Sequence, residues 1–405
     1  MTLKKQTKNT MEKQKIWKAE DVIDLVPDTL LDTIASETGV DYSVKKLHGK
    51  HIFKLFLFAF LNGKSISLRI LEAIFMSEKF KNLFNVQAKP VKHSAIGMRL
   101  ATIDYHYFEK IFEHLIRSPQ LENVLFDRRK ISVSKIDSTI VTLSAKLLKV
   151  GLDDNPGFKT LKFGVQLSGG IPVQVMLFKG QKYLSEDNAL PMLILEKKRR
   201  KSLQIAIFDR GIQRKQNFAD FHAQGVFFIS RVSTQKMRVI EDAMLTETET
   251  PTLRITADQI VRFANDEGMK KESANTSFRM ITGTTKDTNH AMKFLTNVLF
   301  LSAAEITELY KSRWEIETFF KFIKQEMNFS HLLSRSENGI TVVMFLTMIA
   351  AILLTLYKKL NNIIGWAVAK IKFLDQLESG VLHDWHAEIR PAFSLFPVAT
   401  IFNSS

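Results

Sequence analysis

The sequence predicts an α/β fold in which a mixed sheet with covering helices lies between two helical regions. Before about residue 125, apolar segments are separated by short turns, which is typical of packed helices. From Lys130 onward, short apolar strands alternate with turns and helical segments, an order typical of an α/β domain. Beyond about residue 300, apolar and charged residues return to helical spacing.

Composition indicates a basic globular protein. Of the 405 residues, 45% are hydrophobic and 24% charged, which is ordinary for globular domains. The net charge of +15 favours a polyanionic partner, because each neutralised phosphate releases counterions. A solvated lysine-rich surface would give the same total. The absence of cysteine excludes disulfides, thiolate zinc sites and cysteine nucleophiles.

One apolar segment raises the question of a membrane span. Ile340–Tyr357 is uncharged and close to the lower length limit for a spanning helix. Three threonines interrupt it within a basic chain, which favours a buried core helix. Met1–Lys18 lacks the apolar core of a secretory signal. We therefore expect a cytoplasmic protein.

The N-terminal region reads as short helices joined by tight turns. Lys92, His93 and Arg99 lie on or beside the third helix, an arrangement that fits a helix-turn-helix-like DNA-binding module. An ordinary helical bundle fits equally well. The expected helices are Ile52–Leu61, a helix from the cap Ser67 to Phe75, Ser94–Ala101, and Tyr105–Ile116 with Asp104 as its cap.

The central region reads as strands and helices. The run that starts at Ile131 alternates as a half-buried strand should, and we expect it to end at Asp137. A strand that ends at Asp209 and a fifth strand within Gly225–Val232 follow later. The strand that ends at Asp209 is Leu203–Phe208. The other expected elements are the strands Leu161–Ser168 and Pro172–Phe178 joined by Gly169-Gly170, and a helix that begins in Pro191–Glu196.

Two further stretches complete the organisation. Residues 234–290 are polar and Thr-rich with short β-like pieces, which indicates a β-rich insertion. A single helix is expected over Ala303–Met327, before a helical C-terminal region. The basic run Lys197–Lys201 could contact DNA, and a solvated charged face is an equal alternative.

Two aspartates follow apolar strands. Asp137 begins Asp-Ser-Thr and Asp209 begins Asp-Arg-Gly, and carboxylates at the ends of adjacent strands project into a shared crevice. Taken singly, each aspartate would more often cap a turn. Asp187 also follows a strand, although a loop role fits it better. Arg210 could reach a phosphate or pair with Asp209.

The helix around Glu317 carries a stripe of polar groups. With Tyr310 as the origin and about 100° per residue, Arg313, Glu317 and Lys324 fall within an arc of about 60°. Glu315 falls on the far side. A salt-bridged helix surface is the alternative, since Arg313 and Glu317 are also an i,i+4 pair. Together with the two aspartates, the stripe favours a metal-binding site over a salt-bridged surface. Three clustered carboxylates repel one another, and a divalent cation relieves that repulsion.

The spacing Tyr310-x2-Arg313-x3-Glu317-x6-Lys324 resembles the YREK signature of bacterial insertion-sequence transposases of the IS-four family. The contexts of Asp137 and Asp209 are similar to that family's DDE pattern. The resemblance implies an RNase H-like catalytic core with a β-rich insertion, preceded and followed by helical regions. The implied division is 1–125 for DNA binding, 126–233 and 291–335 for the core, 234–290 for the insertion and 336–405 for the helical C-terminus.

The resemblance also implies residue roles. Asp137, Asp209 and Glu317 would be catalytic and would hold two Mg²⁺ ions, with Mn²⁺ as a substitute. Such ions can assist both the attacking and the leaving oxygen in an in-line displacement. Tyr310, Arg313 and Lys324 would hold DNA phosphates. A homodimer in the bacterial nucleoid would act on the terminal inverted repeats of the element and on target DNA.

Some relatives stack a flipped base on an aromatic side chain while they form a hairpin. No tryptophan lies within 234–290 here, so that role would fall to Phe263 or Phe278. Two alternatives use the same fold: an RNase H-like nuclease that cuts without strand transfer, and an inactive DNA-binding relic. No nucleotide cofactor is expected, because the P-loop glycine that should lie five residues before Gly63 is Phe58.

Overall fold

A ten-stranded mixed sheet forms the centre of the protein. The computed structural model describes residues 17–393 apart from 64, 88, 120, 122–130, 145–150, 154–155, 197–202, 233–235, 243–248, 266 and 332. The basic run 197–201 and most of the N-terminal segment 1–18 therefore lie outside the described residues. The strands are β1 (Ile131–Ser144), β2 (Leu152–Asp153), β3 (Phe158–Ser168), β4 (Ile171–Phe178), β5 (Leu203–Phe208), β6 (Phe227–Arg231), β7 (Met237–Asp242), β8 (Leu253–Phe263), β9 (Phe278–Thr285) and β10 (Ala291–Thr296).

The described helices flank this sheet on both faces. They are α1 (Ala19–Ile23), α2 (Asp28–Thr38), α3 (Gly49–Asn62), α4 (Leu68–Met76), α5 (Glu78–Phe84), α6 (His93–Thr102), α7 (Tyr105–Ile116), α8 (Glu186–Leu195), α9 (Lys215–Ala223), α10 (Ala303–Lys311), α11 (Trp314–Glu326), α12 (Glu337–Leu360) and α13 (Trp366–Phe393).

The sheet order is β2–β3–β1–β5–β6–β10–β9–β8–β7, with β4 also paired to β3. β1, β5 and β6 are parallel, and the other pairings are antiparallel. Gly169 and Gly170, both at positive φ, make the predicted two-residue turn between β3 and β4. The α/β fold with a mixed sheet is thus confirmed. The strands within 234–290 are β7, β8 and β9. They belong to the same sheet, because β9 pairs with β10 and β10 pairs with β6.

β1 does not end at Asp137, as the sequence suggested, but continues to Ser144. Its parallel pairing with β5 stops at Lys135, whereas its antiparallel pairing with β3 continues to the end of the strand. The backbone after Asp137 therefore keeps a partner on one side only. The β-branched residues Thr139, Ile140 and Val141 favour this extension.

The helix expected to begin in Pro191–Glu196 begins earlier, at Glu186. Ser185 caps it by accepting a hydrogen bond from the Asp187 N–H at 3.3 Å. Pro191 lies inside the helix, where its missing N–H leaves a carbonyl without its usual donor. The side-chain amide of Asn217 donates to that carbonyl, the one of Asp187, at 3.0 Å. A contact distant in sequence therefore allows a helix that the local pattern disfavours.

The single helix expected over Ala303–Met327 is wrong, because two helices, α10 and α11, meet at Ser312–Arg313. There the Arg313 N–H donates to the Tyr310 carbonyl at 3.0 Å, and the Glu315 N–H donates to the Ser312 carbonyl at 3.1 Å. These tighter i to i−3 bonds change the direction of the chain between the two helices. Tyr310 therefore lies in α10, whereas Arg313 is the residue that caps the start of α11.

α12 is the one helix among the described residues that is long and apolar enough to cross a membrane, and it is buried inside the protein. It packs against α3, α6, α7 and β4 in one apolar cluster, so the expectation of a core helix is confirmed. In the N-terminal helices, Arg99 donates to the carbonyls of Val40 and Leu47, and His93 bonds to Glu72. These two side chains are thus engaged internally, and DNA binding by 1–125 stays a prediction.

Candidate active site

Three polar side chains form one row across the carboxyl ends of the parallel strands. Lys135 of β1, Ile207 of β5 and Ile229 of β6 are neighbours in register. Side chains two residues further along each strand lie on the same face, one row beyond. That next row is Asp137, Asp209 and Arg231. Asp137 and Asp209 therefore lie side by side, as the sequence predicted, although β1 continues past Asp137 instead of ending there.

Tyr310 and Arg313 surround Asp209. Tyr310 Oη donates to Asp209 Oδ1 at 3.0 Å. Burial alone would raise the pKa of Asp209, but the Arg210 N–H, the positive charge of Arg313, the Tyr310 hydroxyl and Arg231 together lower it below its ordinary value. Asp209 is therefore held as a carboxylate.

Asp137 has the opposite character. Burial raises its pKa to about 6, and the negative charges of Glu186 and Asp209 add to the rise. Its Oδ1 accepts from the Ser138 N–H at 2.7 Å, and Arg313 opposes the rise without cancelling it. Asp209 is thus charged and surrounded by positive groups and donors, whereas nearby positive groups do not offset the burial of Asp137.

Glu317 forms an ion pair with Arg313, with Glu317 Oε1 2.6 Å from Arg313 Nη2. Arg313 is only 8% exposed, and its Nε–H is buried without a hydrogen-bond partner among the described residues. Burial alone would lower the pKa of Arg313, but Tyr310, Glu317 and Asp209 together raise it. The guanidinium is therefore the shared counterion of the predicted carboxylates.

The remaining predicted DNA-binding residues lie nearby. Lys324 Nζ donates to the Ile140 carbonyl on β1 at 3.1 Å, and burial lowers its pKa. Arg210 is exposed and donates its backbone N–H to Asp209. Their contacts with DNA stay predictions.

Glu315 does not face away from the sheet, as the single-helix projection suggested. Its Oε2 lies 3.1 Å from Nζ of Lys135, a lysine that is only 6% exposed. The break between α10 and α11 explains the difference, because the projection assumed one continuous turn of about 100° per residue. Glu315 therefore neutralises a buried cation beside the row, and Glu317 is the acid that meets Arg313.

The aromatic residues proposed to stack a base are not available. Phe263 is 7% exposed and Phe278 is 1% exposed, and they pack against each other in the core beneath the sheet. The expectation for both is wrong, because the alternation that makes 253–285 β-rich also turns these rings inward. Trp314, directly after Arg313, is 65% exposed and is the large aromatic beside the site.

Sequence reasoning missed two residues of this site. Arg231 could have been found, because it lies one residue before the end of the fifth predicted strand, much as Asp209 lies at the end of the fourth. Glu186 could not, since its role depends on where α8 begins. Its Oε1 accepts from Ser138 Oγ at 2.7 Å and lies 2.9 Å from Lys162 Nζ.

A protein family and several known proteins are similar to this chain. The family described as "Transposase DDE domain" matches residues 130–353, more than half of the chain. A protein named as a transposase for insertion sequence element IS4SA of Synechocystis is 25% identical over 279 residues, 64% of this chain and 74% of that protein. A transposase named for element IS5377 of Geobacillus stearothermophilus is 32% identical over 113 residues, 27% of this chain and 29% of that protein.

The matched segment contains β1, β5 and β6 with their row, and also α10 and α11 with Tyr310, Arg313 and Glu317. Its two ends fall close to the start of β1 and within α12, so the family pattern covers the whole sheet and the helices that complete the site. The chain therefore belongs to the family of transposases with a DDE domain.

Proposed function

We propose that the protein is the transposase of an insertion sequence, which cuts DNA at the ends of its element and joins those ends to target DNA. The observation that carries the proposal is the row of Asp137, Asp209 and Arg231 with Arg313 and Glu317 above it. Carboxylates beside buried cations suit a reaction at a phosphodiester, because metal ions and phosphates can be held together there. The names of the similar proteins, transposases for insertion sequences, support the same function.

Asp137, Asp209 and Glu317 are the residues that would hold divalent cations, Mg²⁺ or Mn²⁺. Their donor chemistry fits, since hard cations take carboxylate oxygens. Burial, together with the negative charges of Glu186 and Asp209, raises the pKa of Asp137, and a bound cation would favour its charged form. Within the described ranges, no three His, Asp or Glu side chains are close enough together to hold an ion. Glu317 must therefore leave Arg313 to complete the set. Two bound cations would supply charge stabilisation for the attacking and leaving oxygens.

The chain's own basic groups would hold the DNA backbone. When Glu317 turns away, the Nη2 donors of Arg313 become free, and its Nε–H already has no hydrogen-bond partner in the part of the chain that the structure describes. A planar guanidinium with free donors matches a phosphate. Arg231, Lys324 and Arg210 extend this basic surface along the row, and Tyr310 orients Asp209. We also propose DNA binding by 1–125, a homodimer on paired ends, and a cytoplasmic, nucleoid-associated site of action.

Arg231→Ala and Lys324→Ala are each expected to weaken binding to end DNA and to lower the salt slope of log K by about 1, because each removes one phosphate contact. The measurement is fluorescence anisotropy with a labelled end duplex across a salt series. Lys271→Ala is the matched control, since Lys271 is exposed beside α9 on the other face of the sheet. An unchanged salt slope in both variants would mean that neither Arg231 nor Lys324 contacts DNA.

The direct test of the proposed function uses a plasmid that carries the gene's own flanking DNA. Purified protein with Mg²⁺ is expected to cut at the element ends and then to give joined products, and omission of the metal is expected to stop both. Cuts without joined products would favour a nuclease. Binding without cuts in Mg²⁺ or Mn²⁺ would favour a DNA-binding relic.

A further inference from the structure

The first turn of α8 is bonded to the segments that follow both aspartates of the row. Glu186 accepts from Ser138, the residue after Asp137. Asp187 Oδ1 accepts from the backbone N–H groups of Gln213 at 2.8 Å and Arg214 at 2.7 Å, in the loop that follows Asp209. One helical turn therefore contacts the two segments that place Asp137 and Asp209.

Two glycines allow this close approach. A Cβ at Gly211 would lie 2.9 Å from Glu186 Cγ, so the loop after Asp209 rests directly on the Glu186 side chain. A Cβ at Gly164, the register partner of Ser138 on β3, would collide with Leu193 of α8 and with Phe178. The serine of Asp-Ser-Thr and the glycine of Asp-Arg-Gly thus have one structural role in common, contact with Glu186.

A buried lysine pairs with Glu186. Lys162 is only 1% exposed, and its Nζ lies 2.9 Å from Glu186 Oε1 and 2.8 Å from the Leu184 carbonyl. Glu186 Oε2 is buried and has no hydrogen-bond partner among the described residues. Buried ion pairs add little net stability compared with apolar side chains of similar size, so stability alone is a weak reason for this pair.

We propose that Glu186 is a positioning residue for the metal site, which orients Asp137 through Ser138 and Asp209 through Gly211. This inference rests on the proposed function, in which those aspartates hold divalent cations. Residues that orient ligands commonly change metal affinity or activity by 10–100-fold when they are replaced, without contact with the metal. Glu186 is expected to act in the same way, and its loss should leave DNA binding intact.

The test measures Mn²⁺ affinity of the full chain without DNA, by electron paramagnetic resonance of the free ion. Glu186→Gln keeps the size of the side chain and removes its charge, and it is expected to weaken Mn²⁺ binding by about 10–100-fold. Nicking of end DNA should fall at low Mn²⁺ and recover as Mn²⁺ is raised. The Kd for end DNA in EDTA should stay within about twofold of the wild-type value. Glu186 does not contact DNA in this proposal, and substitutions away from a contact usually change free energies by no more than about 0.5 kcal/mol.

A double variant separates positioning from stability. Lys162→Met with Glu186→Leu replaces the ion pair of buried Lys162 and partly buried Glu186 by apolar side chains, a change that often preserves or raises stability. It should fold and still lose Mn²⁺ affinity. Glu196→Gln is the matched control, because Glu196 follows the other end of α8 and bonds to Gln174. Its Mn²⁺ affinity should equal that of the wild type.

The outcomes distinguish this inference from the proposed function. If the wild-type protein binds Mn²⁺ and Asp209→Ala does not, the aspartate site stands, and normal Mn²⁺ affinity in the folded double variant would overturn the role of Glu186. If Asp209→Ala binds Mn²⁺ as the wild type does, the proposed metal site itself fails. Should Glu186→Gln not fold, the double variant decides alone.

Discussion

Asp137→Asn and Asp209→Asn are both expected to lower end cleavage by about 10³-fold or more, yet to change the stability of the metal-free protein in opposite directions. Cleavage falls because each variant loses a charged ligand for the cations, which would stabilise the transition state by several kcal/mol. The stability effects differ because the two carboxyl groups have opposite pKa shifts.

For Asp137 the folded pKa is about 6, against an ordinary value of 3.8. Between those values the folded protein binds more protons than the unfolded chain, so its stability falls as the pH rises through that window. The full penalty, up to about 3 kcal/mol, is present above pH 6. Asp137→Asn should therefore raise the melting temperature in EDTA at pH 7.5 and leave it nearly unchanged near pH 3.5.

For Asp209 the folded pKa is below the ordinary value. Its charge stabilises the folded state at neutral pH, and that contribution is lost as the pH falls through the folded value. Asp209→Asn removes the attraction to Arg313 and should lower the melting temperature at pH 7.5. Calorimetry in EDTA at both pH values, beside a cleavage assay, checks the pair. Shifts in the same direction at pH 7.5 would contradict the electrostatic description, and retained cleavage in either variant would contradict the assignment of that aspartate.

Glu317→Gln is expected to lower cleavage by about 10³-fold, for the same loss of charge at the site. Glu315→Gln is the matched control on the same helix. Glu315 is half exposed and pairs with Lys135, one row away from the aspartates, so its replacement should lower the cleavage rate far less than the replacement of Glu317 does. Rates of nicking on a labelled end duplex give the comparison. Loss of cleavage in the Glu315 variant alone would mean that the wrong acid of α11 has been assigned.

Much of this site could be predicted from sequence because strand periodicity is local. Apolar alternation places β5, and parallel neighbours then bring Asp209 beside Asp137. The end of β1 could not be predicted, since it depends on pairing with β3, a strand distant in sequence. The break at Ser312–Arg313 was hidden as well, because both sides of it have helical periodicity. Glu186 could not be predicted for a similar reason: Pro191 disfavours a helix at this point, and the contact that satisfies the carbonyl which Pro191 leaves free comes from Asn217, distant in sequence.

The packing of α12 has a consequence for how the chain folds during synthesis. Its apolar surface completes the core of α3, α6 and α7, which lie more than 200 residues earlier in the chain. The apolar faces of these helices that contact α12, such as Phe112 of α7 against Phe345, stay uncovered until α12 has left the ribosome. The start of the described chain is tied to the same region, because Trp17 and Asn361 exchange two hydrogen bonds. A nascent chain that stops before Glu337 therefore exposes an unfinished apolar core, and chaperones would have to protect it until synthesis passes that point.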